Sequence, residues 1–88
     1  MHAVVVKVTV NDREAAEKRL REETIPRVSQ LPGVVAGYWT RSDGADGLSM
    51  VVFESEDAAR AAAELVPQMI TEAVTLENVE VRQVVANV

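Results

Sequence analysis

The chain has 88 residues, enough for one small domain with a modest core, since a protein of this size buries roughly 60–65% of its unfolded surface. Its net charge of −5 argues against binding nucleic acid or an anionic membrane, because both require clustered lysine and arginine. It contains no cysteine, so neither a disulfide nor a thiolate-bound metal can stabilise it, and association with another chain is the remaining source of burial.

No export or membrane segment is predicted. The first ten residues, MHAVVVKVTV, lack the basic region and the long apolar run of a signal peptide. No stretch approaches the roughly 20 apolar residues that cross a bilayer. We therefore expect a cytoplasmic protein with a single domain over residues 1–88, and neither nucleic acid nor a membrane among its partners.

The chain is predicted to begin with a strand and a helix. Residues 3–10 are rich in valine and apolar on both faces, which predicts a buried strand. Asn11 and Asp12 then offer an N-cap for a helix over residues 12–23. The apolar stripe of this helix is thin and consists of Ala16 and Leu20.

Pro26 predicts an interruption of the helix. Proline cannot sit comfortably inside a helix, so a new short helix is expected, capped by Thr24 or Ile25, with Pro26 in its first turn. The sequence LPG at 31–33 ends it, because glycine accepts the left-handed cap conformation and proline prevents continuation.

The next segment holds the only Tyr, Trp and Phe of the chain, and it predicts a β-hairpin. Strands are expected over residues 34–41 and 48–53. The connecting SDGADG contains two Asp-Gly pairs, which favour tight turns. Gly37 inside the first of these strands predicts either a bulge or the close approach of another group.

A second helix and a last strand complete the chain. Ser55 is the predicted N-cap, and Pro67 is expected to end or kink the helix early. Residues 68–75 are ambiguous, and residues 79–85 predict a strand. The predicted buried stripe of the helix comprises Ala58, Ala62, Leu65, Val66 and Met69.

The order β-α-β-β-α-β is the ferredoxin-like pattern, an α+β fold whose four-stranded antiparallel sheet carries two helices on one face. That arrangement leaves the second face of the sheet bare. Several strands here are apolar on both faces, so the bare face needs a cover. The same face of a second copy is the simplest cover, and we expect a homodimer.

At this point the chain resembles the antibiotic-biosynthesis monooxygenase-like proteins of the dimeric α/β-barrel superfamily. The resemblance covers almost the whole chain and rests on the element order, LPG at 31–33, GYW at 37–39, and VVFES at 51–55 before an alanine-rich helix. It implies a homodimeric α/β barrel in which two sheets pack face to face, with a ligand cavity in each half. Some members of that group oxidise aromatic polyketides with dioxygen and no bound cofactor, and others degrade haem.

The resemblance also implies a type of site. Cofactor-free oxidation in the group relies on Asn, Trp, Tyr and Arg side chains in the cavity, and this chain offers the same residue types at Asn11, Trp39, Tyr38 and Arg41. Haem-degrading members use an Asn–Trp–His set. The only histidine here is His2 in the first strand, so haem degradation is not expected.

Three residues of the second strand are the catalytic candidates. Trp39 and Arg41 share one face, and Tyr38 lies on the other. In a functional interpretation, Trp39 stacks on an oxygenated aromatic, Arg41 binds its enolate or phenolate, and Tyr38 donates a hydrogen bond to a substrate oxygen. In a structural interpretation, the tryptophan packs at the dimer interface, the arginine pairs with an acidic neighbour, and the tyrosine is half-buried in the core. The pattern does not decide which sheet face carries Trp39.

Three further residues are candidates for ligand binding. Asn11 either caps the first helix or orients substrate or dioxygen. His2 either acts as a base near neutral pH or is simply solvated. Met50 lines the core or the cavity. A metal site is not expected, because there is no cysteine, a single histidine and no tight cluster of acidic residues.

Two hypotheses therefore remain open. One is a cofactor-independent monooxygenase-like protein that acts on a small aromatic or polyketide-like substrate with dioxygen. The alternative is a non-catalytic dimer of the same fold that binds a small molecule or serves a structural role. An isomerase or lyase is a weaker third hypothesis, and its acid–base pair would have to come from His2, Glu54 or Glu80.

Overall fold

A four-stranded antiparallel sheet with helices on one face forms the protein, in a computed structural model that describes residues 1–88. The strand order β2-β3-β1-β4 and the chain order confirm the predicted ferredoxin-like fold. The elements are β1 (His2–Val10), α1 (Arg13–Arg19), a π-helical segment (Leu20–Thr24), α2 (Ile25–Val28), β2 (Val34–Arg41), β3 (Asp46–Phe53), α3 (Glu56–Met69) and β4 (Val74–Gln83).

The central strand β1 sets the two faces of the sheet. Val4 lies opposite Val51 of β3 and Val81 of β4, and these side chains point toward the helices. Alternation then places Val5 and Met50 together on the opposite, uncovered face.

The core lies at the end of the sheet where β1 begins. Phe53 is the largest fully buried side chain, and Ala59 of α3 is completely buried near it. Small alanines on α3 let the helix approach the sheet closely at this end. Four further buried residues complete the cluster, Val4, Val28, Val51 and Ala62.

Helix α3 begins as predicted and ends later than predicted. The Ser55 hydroxyl accepts a hydrogen bond from the Ala58 N–H at 3.1 Å, which confirms the N-cap. Pro67 does not end the helix, which runs on to Met69, so of the two effects expected of this proline only the kink stays a prediction. Of the predicted stripe, Ala58, Ala62, Val66 and Met69 belong to the core or pack against it, whereas Leu65 lies outside it.

The first helical layer (residues 13–28) is continuous, so the predicted interruption is wrong, whereas the predicted short helix with Pro26 in its first turn is present as α2. Thr24 and Ile25 have helical backbone angles, and Thr24 makes no side-chain cap. The Ile25 N–H donates to the Leu20 carbonyl five residues earlier, which is the π-helical hydrogen bond. Proline has no N–H and its ring crowds the carbonyl four residues before it. The wider turn accommodates Pro26 without ending the helix.

The starts of two strands differ from the prediction, and a bulge accounts for one of them. Strand β4 begins at Val74 and not at residue 79, because an irregularity opposite Lys7 and Val8 shifts the alternation. Leu76 and Val79 therefore occupy the same face although they are three positions apart along the strand. Strand β3 also begins earlier, at Asp46, two residues before the predicted start.

None of the helices is long and apolar enough to cross a membrane.

Replacing Ser55 tests the α3 cap. The Ser55→Ala substitution removes the acceptor for the Ala58 N–H and should lower the free energy of unfolding by about 1 kcal/mol, measured by urea denaturation. Ser55→Asp supplies another cap acceptor and should leave the stability close to that of the parent. Equal stabilities for the alanine and aspartate variants would contradict the assigned role.

Candidate functional site

A cavity of about 440 Å³ lies between the helix-facing side of the sheet and the helices. Its floor consists largely of valines from β1, β3 and β4. Met69 and Ile70 from the end of α3 close one side. A volume of this size, with mostly apolar walls, is typical of sites that hold a small organic molecule. The valines of the floor are Val4, Val6, Val8, Val10, Val51 and Val74.

The cavity exists because the first helical layer stands away from the sheet. No residue of α1 or of the π-helical segment is buried, and only Val28 of α2 reaches the core. The stripe that faces the sheet carries Ala16 and Leu20, which are too few and too small to fill the space above the valines. The cavity therefore belongs to a single chain.

Trp39 lies on the helix-facing side of β2, which decides the face that the sequence left open. It lines the cavity and packs against the core cluster. Its ring also lies over Gly37, where an added Cβ would come within 3.1 Å of the indole carbons. The close approach predicted for Gly37 is thus confirmed, and the partner is the tryptophan two residues along the same strand.

Arg41 lines the same cavity and links the edge strand to the first helix. Its Nη1 donates to Glu17 Oε2 at 2.5 Å, and Arg21 Nη2 lies 3.8 Å from the other oxygen of that carboxylate. The Arg41 side chain is 57% exposed and that of Glu17 35%, so the pair lies at the solvent boundary of the cavity. Pairing with an acidic neighbour is what the structural interpretation of Arg41 expected.

Tyr38 and Met50 lie on the opposite face of the sheet. They are cross-strand partners, 64% and 45% exposed, and neither lines the cavity. The structure therefore separates Tyr38 from Trp39 and Arg41. It also shows Tyr38 to be exposed, whereas the structural interpretation expected it half-buried in the core.

Asn11 neither caps the helix nor lines the cavity. The cap is Asp12, whose carboxylate accepts from the Ala15 N–H at 3.1 Å. Asn11 instead donates through Nδ2 to Thr75 Oγ1 at 3.0 Å and to the Glu72 carbonyl at 3.3 Å. It ties the end of β1 to the start of β4, and the expectation that it caps the helix is wrong.

His2 lies at the start of β1, beyond the core and outside the cavity lining. Its Nδ1 is buried without a hydrogen-bond partner. Glu56, at the start of α3, has its pKa lowered by a hydrogen bond from Arg60, with smaller effects from the charges of Arg60 and His2. Neither Glu54 nor Glu80 lines the cavity, so the acid–base residues of the isomerase hypothesis do not converge there.

Most of the polar groups in the lining are not among the residues expected from the sequence. Arg13, Arg19 and Arg21 contribute from the first helical layer, and Asp46 from β3. Positions 13, 16, 17, 20, 24 and 28 follow helical spacing, so the stripe that faces the cavity was visible in the sequence as one helix face. Its charged members look like an ordinary solvated surface until the helix is seen to stand off the sheet.

The lining is electropositive although the protein is acidic. Four arginines line the cavity, against two carboxylates, those of Glu17 and Asp46. In addition, Arg19 Nε is buried without an acceptor, while its Nη1 pairs with Glu23 at 2.6 Å. A buried donor without a partner is unfavourable, and an acceptor atom of a bound molecule would relieve it. No three His, Asp or Glu side chains converge to form a metal-binding group.

Comparison with known proteins supports the fold. The crystal structure of HapK from Hahella chejuensis is similar over 100% of this chain and 97% of that protein, with a TM-score of 0.74 and 14% sequence identity. At this identity the likeness concerns the ferredoxin-like fold alone. No family model matches the sequence, and no curated protein matches it.

The link between Glu17 and Arg41 should be weak, because exposed ion pairs contribute little in water. Glu17→Gln and Glu14→Gln each remove one negative charge from α1, and Glu14 forms no ion pair. We expect their free energies of unfolding in urea to differ by less than about 1 kcal/mol. A loss several times larger in Glu17→Gln alone would identify the pair as a structural lock.

Proposed function

We propose that this protein binds a planar, oxygenated aromatic molecule in the cavity and oxidises it with dioxygen without a bound cofactor. The observation that carries the proposal is a largely apolar cavity whose wall holds an indole and a guanidinium two residues apart, Trp39 and Arg41. The proposal places the chain among the antibiotic-biosynthesis monooxygenase-like proteins that its sequence resembles.

The lining suits a flat aromatic anion. Valines and methionine exclude water from the body of the ligand, and the indole of Trp39 offers it a face on which to stack. Arg41 can direct some of its guanidinium N–H donors away from Glu17 and toward a phenolate or enolate oxygen. A positive group next to that oxygen favours the ionised form and lowers the pKa of the ligand.

Once ionised, such a substrate can react with dioxygen itself. The carbanion passes one electron to dioxygen, and the resulting radical pair joins to form a carbon–oxygen bond. Loss of water from the peroxide then converts a CH₂ group into a carbonyl, so one oxygen atom enters the product and the other leaves as water. The protein contributes by binding, by stabilising the anion and by excluding solvent.

Non-catalytic binding is the second candidate, and one observation favours it. The lining contains no His, Tyr, Cys, Lys or Asn side chain that could move a proton. Its two carboxylates are engaged, Glu17 with Arg41 and Asp46 with the Ser42 hydroxyl. A substrate that does not ionise readily would therefore be held without turnover.

Oxygen consumption with dithranol, a hydroxylated anthrone, tests the first candidate after subtraction of the spontaneous rate. We expect catalysed uptake, a kcat/KM reduced roughly a hundredfold in Arg41→Ala through loss of anion stabilisation, and a reduction of roughly tenfold in Trp39→Phe through weaker stacking. Arg60→Ala is the matched control, because Arg60 pairs with Glu56 on α3, outside the cavity and away from the exposed sheet face.

The outcomes separate the two candidates. Binding of dithranol without catalysed uptake would favour the non-catalytic binder. Equal loss of activity in Arg60→Ala and Arg41→Ala would show that the effect does not arise in the cavity.

We further propose that a second copy covers the exposed sheet face. Met50 lies at the centre of that face, between Tyr38 and Val5 in the register, and Leu48 lies near it, 48% exposed. Apolar side chains at this density on one flat face are typical of an association surface. Face-to-face packing of two identical sheets would bury the apolar face of both copies at once.

Light scattering during size-exclusion chromatography tests the dimer. We expect a mass near twice 9.6 kDa for the parent protein. Met50→Lys places a charge at the centre of the face and should give the monomer mass. Gln68→Lys makes the same charge change on the exposed side of α3 and should leave the dimer intact. A monomeric parent would overturn this proposal.

A further inference from the structure

Arg13 is the cavity arginine that lacks a carboxylate partner. Arg21 and Arg41 share Glu17, and Arg19 pairs with Glu23. Arg13 forms no salt bridge, and its hydrogen bond is from Nη2 to the Gly44 carbonyl at 3.3 Å, which is long for a guanidinium donor. Most of its five N–H groups are therefore free to bind another acceptor.

The position of Arg13 places this free charge at the outer end of the cavity. Arg13 opens α1, directly after β1 ends at Val10, and its bond to Gly44 connects it to the β2–β3 turn. Gly44 and Gly47 line the same end, and neither brings a side chain beyond hydrogen. A ligand that lies along the valine floor would thus reach a guanidinium where the cavity opens to solvent.

We propose that the ligand carries a carboxylate at this end and that Arg13 binds it. The inference rests on the proposed cavity ligand and adds a second polar group to it, distinct from the oxygen assigned to Arg41. A guanidinium binds a carboxylate through two parallel hydrogen bonds, which fixes the orientation of the ligand as well as holding it.

The charges around Arg13 favour a singly charged group at this end of the ligand. Asp46 lines the same end of the cavity, and Glu17 lies on the same helix four residues from Arg13. These two carboxylates would repel a phosphate dianion more strongly than a singly charged group. Arg13 is thereby assigned as a specificity-determining residue that selects acids over neutral aromatics of the same size.

Calorimetric titration with 2-naphthol and 6-hydroxy-2-naphthoic acid tests the assignment, because the two ligands differ by one carboxylate. The parent protein should bind the acid about tenfold more tightly than the naphthol. Arg13→Gln should abolish that preference while leaving the affinity for 2-naphthol unchanged, and Arg13→Lys should retain part of it. Arg60→Gln is the matched control, since it removes one positive charge from α3, outside the cavity.

Each remaining outcome overturns a defined statement. Equal affinity of the parent for both ligands, or a preference that survives in Arg13→Gln, overturns the role of Arg13 and leaves the cavity proposal intact. A preference lost equally in Arg60→Gln reduces the effect to overall charge and also overturns it. If neither naphthalene binds the parent, the cavity ligand of the proposed function fails together with this inference.

Discussion

The first helical layer carries too little apolar side-chain volume to fill the space above the sheet, and this shortage determines where the core ends and the cavity begins. At one end of the sheet, Phe53 and the alanines of α3 fill the space and make a dense core. At the other end, Ala16 and Leu20 face a floor of valines that they are too small to reach. Close packing is the usual state of a protein interior, so an unfilled volume in one layer must either collapse or hold something. Here the first helical layer has not collapsed onto the valine floor, and the cavity fills the space between them.

The fold could be predicted because its determinants are local. The Asp-Gly pairs predict the hairpin, Ser55 predicts the start of α3, and the valine-rich segments predict the strands. What could not be predicted depends on backbone adjustments that leave no periodic trace. A bulge in β4 places Leu76 and Val79 on one face, so the first half of that strand shows no regular alternation in the sequence. A π-helical turn accommodates a proline that normally ends a helix.

The candidate site was only partly visible in the sequence for a different reason. Trp39 and Arg41 could be placed on one face of β2, but both faces of that strand are mixed, so only the tertiary structure shows which one meets the helices. Met50 was expected to line the core or the cavity because it is a methionine, but it lies on the outer face of the sheet. Arg13 was not predicted as a site residue, because a charged residue at the start of an amphipathic helix normally faces solvent.

The electrostatics of the cavity run against those of the whole chain, and this contrast bears on function. An overall negative charge repels anions at long range, so an anionic ligand gains nothing from steering and must be selected at short range. Glu17 pairs with Arg41 at the cavity wall, in the place that the proposed anion would take. Because an exposed pair of this kind is weak, an aromatic anion that also buries apolar surface can replace the carboxylate. The same arrangement disfavours small inorganic anions, which would have to displace Glu17 without any contribution from the valine floor.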